Sequence, residues 1–310
     1  ELLLATGCTE PIAVAYCAAK LREVLGGKPE EVLAEVSGNI LKNVKSVVVP
    51  NTDGRRGIDA AIAVGIVAGD ADAELQVIAN VTEDDAAAIQ GYLDATPIKV
   101  TCPVTPCLLD IFLHGKRAGH TAAVRVANNH TNIIYMERDG EVLLEKPLTA
   151  NAEDNLQDKS VLNVKDIITF AETVPLDRIE PVIGRQIACN TAIAEEGLRN
   201  SWGANIGSTL LQRSDDIETQ ARAWAAAGSD ARMNGCEMPV VICSGSGNQG
   251  ITASVPVWRY GKLMGASEEK ILRAVCLSDL ITIHQKTGIG RLSAYCGAVS
   301  AGVGAGCGIA

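Results

Sequence analysis

Residues 121–144, TAAVRVANNHTNIIYMERDGEVLL, alternate apolar and polar side chains over Thr121–Asn128 and again over Thr131–Glu137. Asp139-Gly140 then turns the chain into Glu141–Leu144. A two-residue period broken by Asp-Gly is the pattern of antiparallel strands with one buried face. Working outward, Ile98–Thr101 is strand-like, Glu74–Val81 alternates as a strand, and Glu83–Leu93 between them has helical spacing. One helix among several strands predicts a small α+β sandwich.

On both sides of that sandwich the texture changes. Residues 10–27 predict a helix: Pro11 suits its first turn, Val14, Cys17, Leu21 and Leu25 recur at helical spacing, and Gly26-Gly27 stops it. Pro29-Glu30-Glu31 opens a second helix that runs to Ile40-Leu41. Val47–Val49 is extended before the turn Asn51–Gly54, and Gly57–Gly69 is an apolar, buried helix. Past residue 150 helices return at 164–173, 190–199, 208–229 and 267–281, joined by glycine-rich loops. The two flanking parts share a Gly/Ala/Cys-rich character. The sequence therefore predicts an α+β fold, mainly helical, in which a discontinuous domain (1–70 with 150–310) carries an inserted α+β domain at 71–149.

The 310 residues are 47% hydrophobic, enough for a core in one large or two modest domains. A formal net charge of −10 repels phosphate backbones, so nucleic acid is not an expected partner. No block of like charges suggests a membrane anchor. Nothing reads as an export signal, which places the chain in the cytoplasm and makes its ten cysteines thiols or metal ligands, not disulfides. The chain opens without Met inside an apolar run and stops at Gly304–Ala310 without a polar tail, a pattern expected of a fragment.

Three segments can carry chemistry. Gly7-Cys8-Thr9-Glu10-Pro11 sets a thiol at a helix N-terminus, where the macrodipole and unpaired N–H groups favour thiolate. Its bland alternative is an inert N-cap. Cys243-Ser244-Gly245-Ser246-Gly247-Asn248-Gln249-Gly250 can surround an anion, a carboxylate as well as a phosphate, or be a tight connection between helices. It lacks the Lys of a nucleotide-binding P-loop. His284-Gln285-Lys286-Thr287-Gly288 leads through Arg291 to Cys296-Gly297, and either His284 or Lys286 can abstract a proton if its pKa moves toward neutrality. Solvated Lys and core His are the alternatives there. His114, His120 and His130 lack zinc spacing, as do Cys102 and Cys107.

Taken together, GCTEP, Ser37-Gly38-Asn39 with Lys42-Asn43, the 243–250 loop and HQKTGIGRLSAYCG resemble the L-cysteine desulfidase family, distant relatives of the iron–sulfur L-serine dehydratases. The resemblance implies a [4Fe–4S] cluster with Cys8 and Cys296 as two of three ligands, the third expected beyond residue 310. It implies conversion of L-cysteine to pyruvate, ammonia and sulfide. Ser244, Ser246, Gly247 and Asn248 would bind the substrate carboxylate, and Lys286 or His284 would be the base. Glu10 would hold the ammonium or orient Cys8. L-serine dehydration is the nearest alternative, and a non-catalytic amino-acid-binding protein is the alternative of another class. The partner is a small amino acid, and a homo-oligomer is compatible with the sequence.

Overall fold

In a computed structural model, residues 1–6, 8–148, 158–289 and 296–310 are described. Gly7 and residues 290–295, which complete two of the sequence motifs, lie outside them. After strand β1 (Leu2–Thr6) comes α1 (Thr9–Leu25), closed by left-handed Gly26, with Gly26 and Gly27 N–H both donating to Arg22 O at 3.0 Å. Strand β2 (Glu31–Val36) and helices α2 (Gly38–Val44), α3 (Gly57–Ala68) and α4 (Glu83–Ala95) follow. Then come β3 (Ile98–Thr101), β4 (Asp110–Arg117), β5 (His120–Ala127), β6 (Ile133–Arg138) and β7 (Glu141–Glu145). Strands β2–β7 make a six-stranded sheet in the order β3-β2-β4-β5-β6-β7, parallel only between β2 and β3.

The helix expected from Pro29 to Leu41 is instead mostly strand β2. Val32, Ala34 and Val36 are buried in alternation, and that period of two outweighs the helical character of the glutamates. The strand expected at Glu74–Val81 is a 3₁₀ turn (Ala71–Gln76) and further turns, its backbone bonded locally through Val77 N to Glu74 O and Ala79 N to Gln76 O. Leu75, Val77 and Ile78 are buried side by side, without the alternation a half-buried strand keeps. Strand β4 was not expected, yet it lies between β2 and β5 at the centre of the sheet.

Two compact units result: Cys8–Asp154, and Glu1–Gly7 with Asn155–Ala310. The division thus falls at residue 8, not near 70. β2 is hydrogen-bonded between β3 and β4, so the sheet formed by residues 71–149 takes in a strand from outside that range. Helix α1 packs on β4 and β5 and on α3, which explains why it is apolar on nearly every side. Within it, Cys17 is a core residue whose thiol burial pushes well up.

The second unit is helical: α5 (Val164–Thr173), α6 (Leu176–Arg199), α7 (Ile206–Arg213), α8 (Ile217–Met233), α9 (Gly247–Leu263), α10 (Glu268–Ile289) and α11 (Gly297–Ile309). Between α8 and α9 lies β8 (Pro239–Cys243), paired antiparallel with β1 from Leu2–Cys243 to Thr6–Pro239. The helix expected at 208–229 breaks into α7 and α8 because Asp216 caps a new helix, accepting from Thr219 N at 2.6 Å. Val257, Ile271, Val275 and Ala305 bring α9, α10 and α11 into one apolar cluster with α6 residues Ile179 and Ile183. Among the described residues no helix is long and apolar enough to cross a membrane.

Close helix contact in the first unit depends on a missing side chain. A Cβ on Gly65 would overlap Ala15 O and approach Ala15 Cα to 2.9 Å. Gly65→Ala should therefore lower unfolding free energy by about 3 kcal/mol, the upper end for overpacking. Urea denaturation checks this, and an unchanged midpoint would refute the close α1–α3 approach.

Candidate active site

Strand β8 passes into α9 through a two-residue turn. Cys243 N donates to Ser246 O at 3.1 Å and Ser246 N to Cys243 O at 3.2 Å, across Ser244 (φ 45°) and Gly245 (φ 86°). Left-handed backbone suits Gly245, and at Ser244 it costs about 1 kcal/mol. Ser246 then caps α9, its Oγ accepting from Gln249 N at 3.4 Å. The expected 243–250 loop is thus shorter: Gly247, Asn248, Gln249 and Gly250 form the first helical turn. Gly250 must lack a side chain, because a Cβ there would overlap Val241 O. Gly247 lies against the guanidinium of buried Arg232, whose Nη1 donates to Asn248 Oδ1 at 2.9 Å.

Below this turn lies a buried polar layer. Gln186 Nε2 donates to Asp279 Oδ1 at 2.9 Å and to Gly250 O at 3.4 Å. Asn190 exchanges bonds with Val241, donating to its O at 3.1 Å and accepting from its N at 2.9 Å. Burial holds the Asp279 carboxyl up at about 7, partly opposed by the Gln186 amide. The Cys243 thiol is pushed well up by burial and then by Asp279.

Lys286 lies two helical turns from Asp279 on the buried side of α10. Burial lowers its pKa, while the Cys243 and Cys296 thiols act in the opposite sense. His284, two residues away, lies on another side of α10 and is only half-buried. Of the two base candidates, Lys286 is the one grouped with Cys243 and Cys296. Cys296 is the exposed N-cap of α11 and makes no side-chain cap bond. The next residue, Gly297, lies against Gln249 Oε1, so α9 and α11 begin side by side.

In the other unit, Cys8 is the N-cap of α1 and also makes no side-chain bond to the helix backbone. Its Sγ donates to Glu10 Oε2 at 3.2 Å, and Thr9 Oγ1 donates to the same oxygen at 3.0 Å. Asn43 Nδ2 donates to Glu10 Oε1 at 3.5 Å. Glu10 is thus placed to fix the Cys8 side chain.

As donors for a cluster, Cys8 and Cys296 are right in kind: soft sulfur outside any disulfide, each at the start of a helix. Among the described residues, however, no group of three or more His, Cys, Asp or Glu side chains gathers to hold a metal. Sequence reasoning missed Asp279, Gln186, Arg232 and Gln249. A carboxylate inside the apolar helix 267–281 was the legible signal for Asp279. For Gln249 it was membership of the glycine–serine segment.

In the helical unit, the turn from β8 into α9 and the buried Lys286 of α10 make up the candidate site. Residues 72–310 match the family model described as serine dehydratase alpha chain, and the chain belongs to that family. It is 49% identical over 311 residues to a UPF0597 protein of Desulfitobacterium hafniense, covering 100% of this chain and 72% of that one. A UPF0597 protein of Lachnoclostridium phytofermentans is 50% identical over 310 residues, with 100% and 74% covered. One of Treponema denticola is 48% identical over 309 residues, with 97% and 72% covered.

Asp279 gives a pH signature. Its unfolded value is about 3.9 and its folded value is about 7. Between these, unfolding releases a proton, so stability falls as pH rises and levels off above the folded value. Relative to Asp279→Asn, the wild-type chain should lose up to about 1.4 kcal/mol per pH unit between pH 5 and 7. Parallel pH–stability curves from chemical denaturation would show that Asp279 is not held neutral by burial.

Proposed function

We propose that this chain carries out β-elimination on L-cysteine, giving pyruvate, ammonia and sulfide. The observation that carries the reading is Lys286, a buried lysine of lowered pKa grouped with Cys243 and Cys296. Burial disfavours the ammonium form, the direction of shift that a base for a Cα proton requires.

The substrate carboxylate binds at the start of α9, where Ser244, Ser246, Gly247 and Asn248 supply N–H and hydroxyl donors and the helix dipole favours a negative charge. Asn248 is held in place from behind by Arg232. Lys286 Nζ takes the Cα proton, the Cα–H electrons form the Cα–Cβ double bond, and the Cβ–S bond breaks to release sulfide. The resulting 2-aminoacrylate tautomerises to an imine, which water hydrolyses to pyruvate and ammonia. In this reading Cys8 and Cys296 would serve as ligands of a [4Fe–4S] cluster. That cluster would supply a Lewis-acidic iron for the departing group.

A second reading, L-serine dehydration, is favoured by the description of the matching family model. The chemistry differs only in the leaving group. Anaerobic assays of pyruvate, ammonia and sulfide with each amino acid separate the two. The protein is first incubated anaerobically with iron and sulfide, freed of the excess, and assayed together with whatever flanking sequence its gene encodes. Cysteine should turn over faster, and the reverse order would transfer the assignment to serine. Lys286→Met should lower kcat by about 10²- to 10⁴-fold with the fold intact. Retained turnover in that variant would remove Lys286 as the base.

A further inference from the structure

Gln249 is fully buried, and neither its Nε2 nor its Oε1 meets a nitrogen or oxygen partner; the side-chain contact of its amide is with the Cys243 thiol. Buried polar groups in native proteins are paired with few exceptions, and each exception calls for a physical reason. Here one amide carries a donor and an acceptor with only a weakly hydrogen-bonding thiol beside them. Beside it, Ser244 and Asp279 share its neighbour, the Cys243 thiol, and Ser244 Oγ and Asp279 Oδ2 are buried without a nitrogen or oxygen partner. They come from the 244–246 turn and from α10, and Gln249 itself comes from the first turn of α9. Its Oε1 lies against Gly297 at the start of α11, and the buried Cys243 thiol is among its neighbours.

We propose that the Gln249 side-chain amide is a binding residue for the head group of a zwitterionic α-amino acid, Nε2 donating to the carboxylate and Oε1 accepting from the ammonium. A ligand that satisfies both amide atoms at once must offer an acceptor and a donor close together, and an α-amino acid carries both on one Cα. Helix starts at α9 and α11 favour its carboxylate end. Because Gln249 has no exposed surface, the ligand is enclosed once bound. This assignment rests on the reading of the family as amino-acid lyases, but binding and turnover are separable.

The test uses L-alanine, which has no β leaving group, and propionate, which lacks the ammonium, in calorimetric titrations of the unaltered chain and of Gln249→Leu. L-alanine should bind the unaltered chain at least tenfold more tightly than propionate does. Gln249→Leu should lose at least tenfold in L-alanine affinity and less in propionate affinity. Without ligand, the same variant should melt at the same temperature or higher, because it removes from the interior two polar atoms that lack a nitrogen or oxygen partner. A structural amide would give the opposite, a lower Tm. The inference is overturned by absent L-alanine binding, by equal affinity in the variant, or by a lowered Tm. L-alanine binding without any turnover of cysteine or serine would keep it and sink the lyase assignment. Turnover with unchanged KM in Gln249→Leu would do the reverse.

Discussion

Helix α9 can start where it does only because Gly250 has no side chain. Its backbone comes against Val241 O on β8, and any larger residue would push the helix away from the strand. That contact sets the height of Ser246, Asn248 and Gln249 above the buried layer, and Gln186 secures it by bonding the Gly250 carbonyl from α6. Asp279 holds the same glutamine from the other side. Strand β1 adds a second constraint by pairing with β8 along its whole length, and Glu1 O accepts from Ser244 N at 3.1 Å. The turn is therefore fixed by two strands and two helices, and its positive φ at Ser244 is held by that surrounding structure.

Much of this was legible in the sequence, and the misses have physical causes. Long periodic segments declared themselves: α1 with its Gly26-Gly27 stop, α3, α5, and the β5–β6–β7 meander with its Asp-Gly turn. Strand β2 was misread because Glu and Leu suit helices, while burial of Val32, Ala34 and Val36 in alternation within the sheet decided the matter. β4 was missed because a Gly and a His interrupt its alternation, although Ile111 and Leu113 are fully buried. The domain division followed from the β2 error. Once residues 31–36 are a strand between β3 and β4, the first helix belongs with the sheet.

Around the 244–246 turn, the residue types that sequence patterns reward could be named in advance, and the ones that act through burial could not. Lys286 and Cys296 stand out in their motif. Lys286 separates from His284 only when α10 exists, since two residues on a helix point to different sides. Asp279 and Gln186 are 93 residues apart in sequence and meet across the interior. No spacing rule reveals such a pair. The inward Asn248–Arg232 bond is equally silent in one dimension.

Two helices, α1 and α11, begin on a cysteine whose sulfur bonds none of the exposed amides of the first turn. Serine or aspartate at such a position typically contributes about 1 kcal/mol. Each helix forgoes that stabilisation while keeping a thiol at the positive end of its dipole. Selection for thermal hardiness alone would thus press both positions toward oxygen side chains, so a library sorted only by heat resistance would erase the sulfur chemistry before it disturbed the fold.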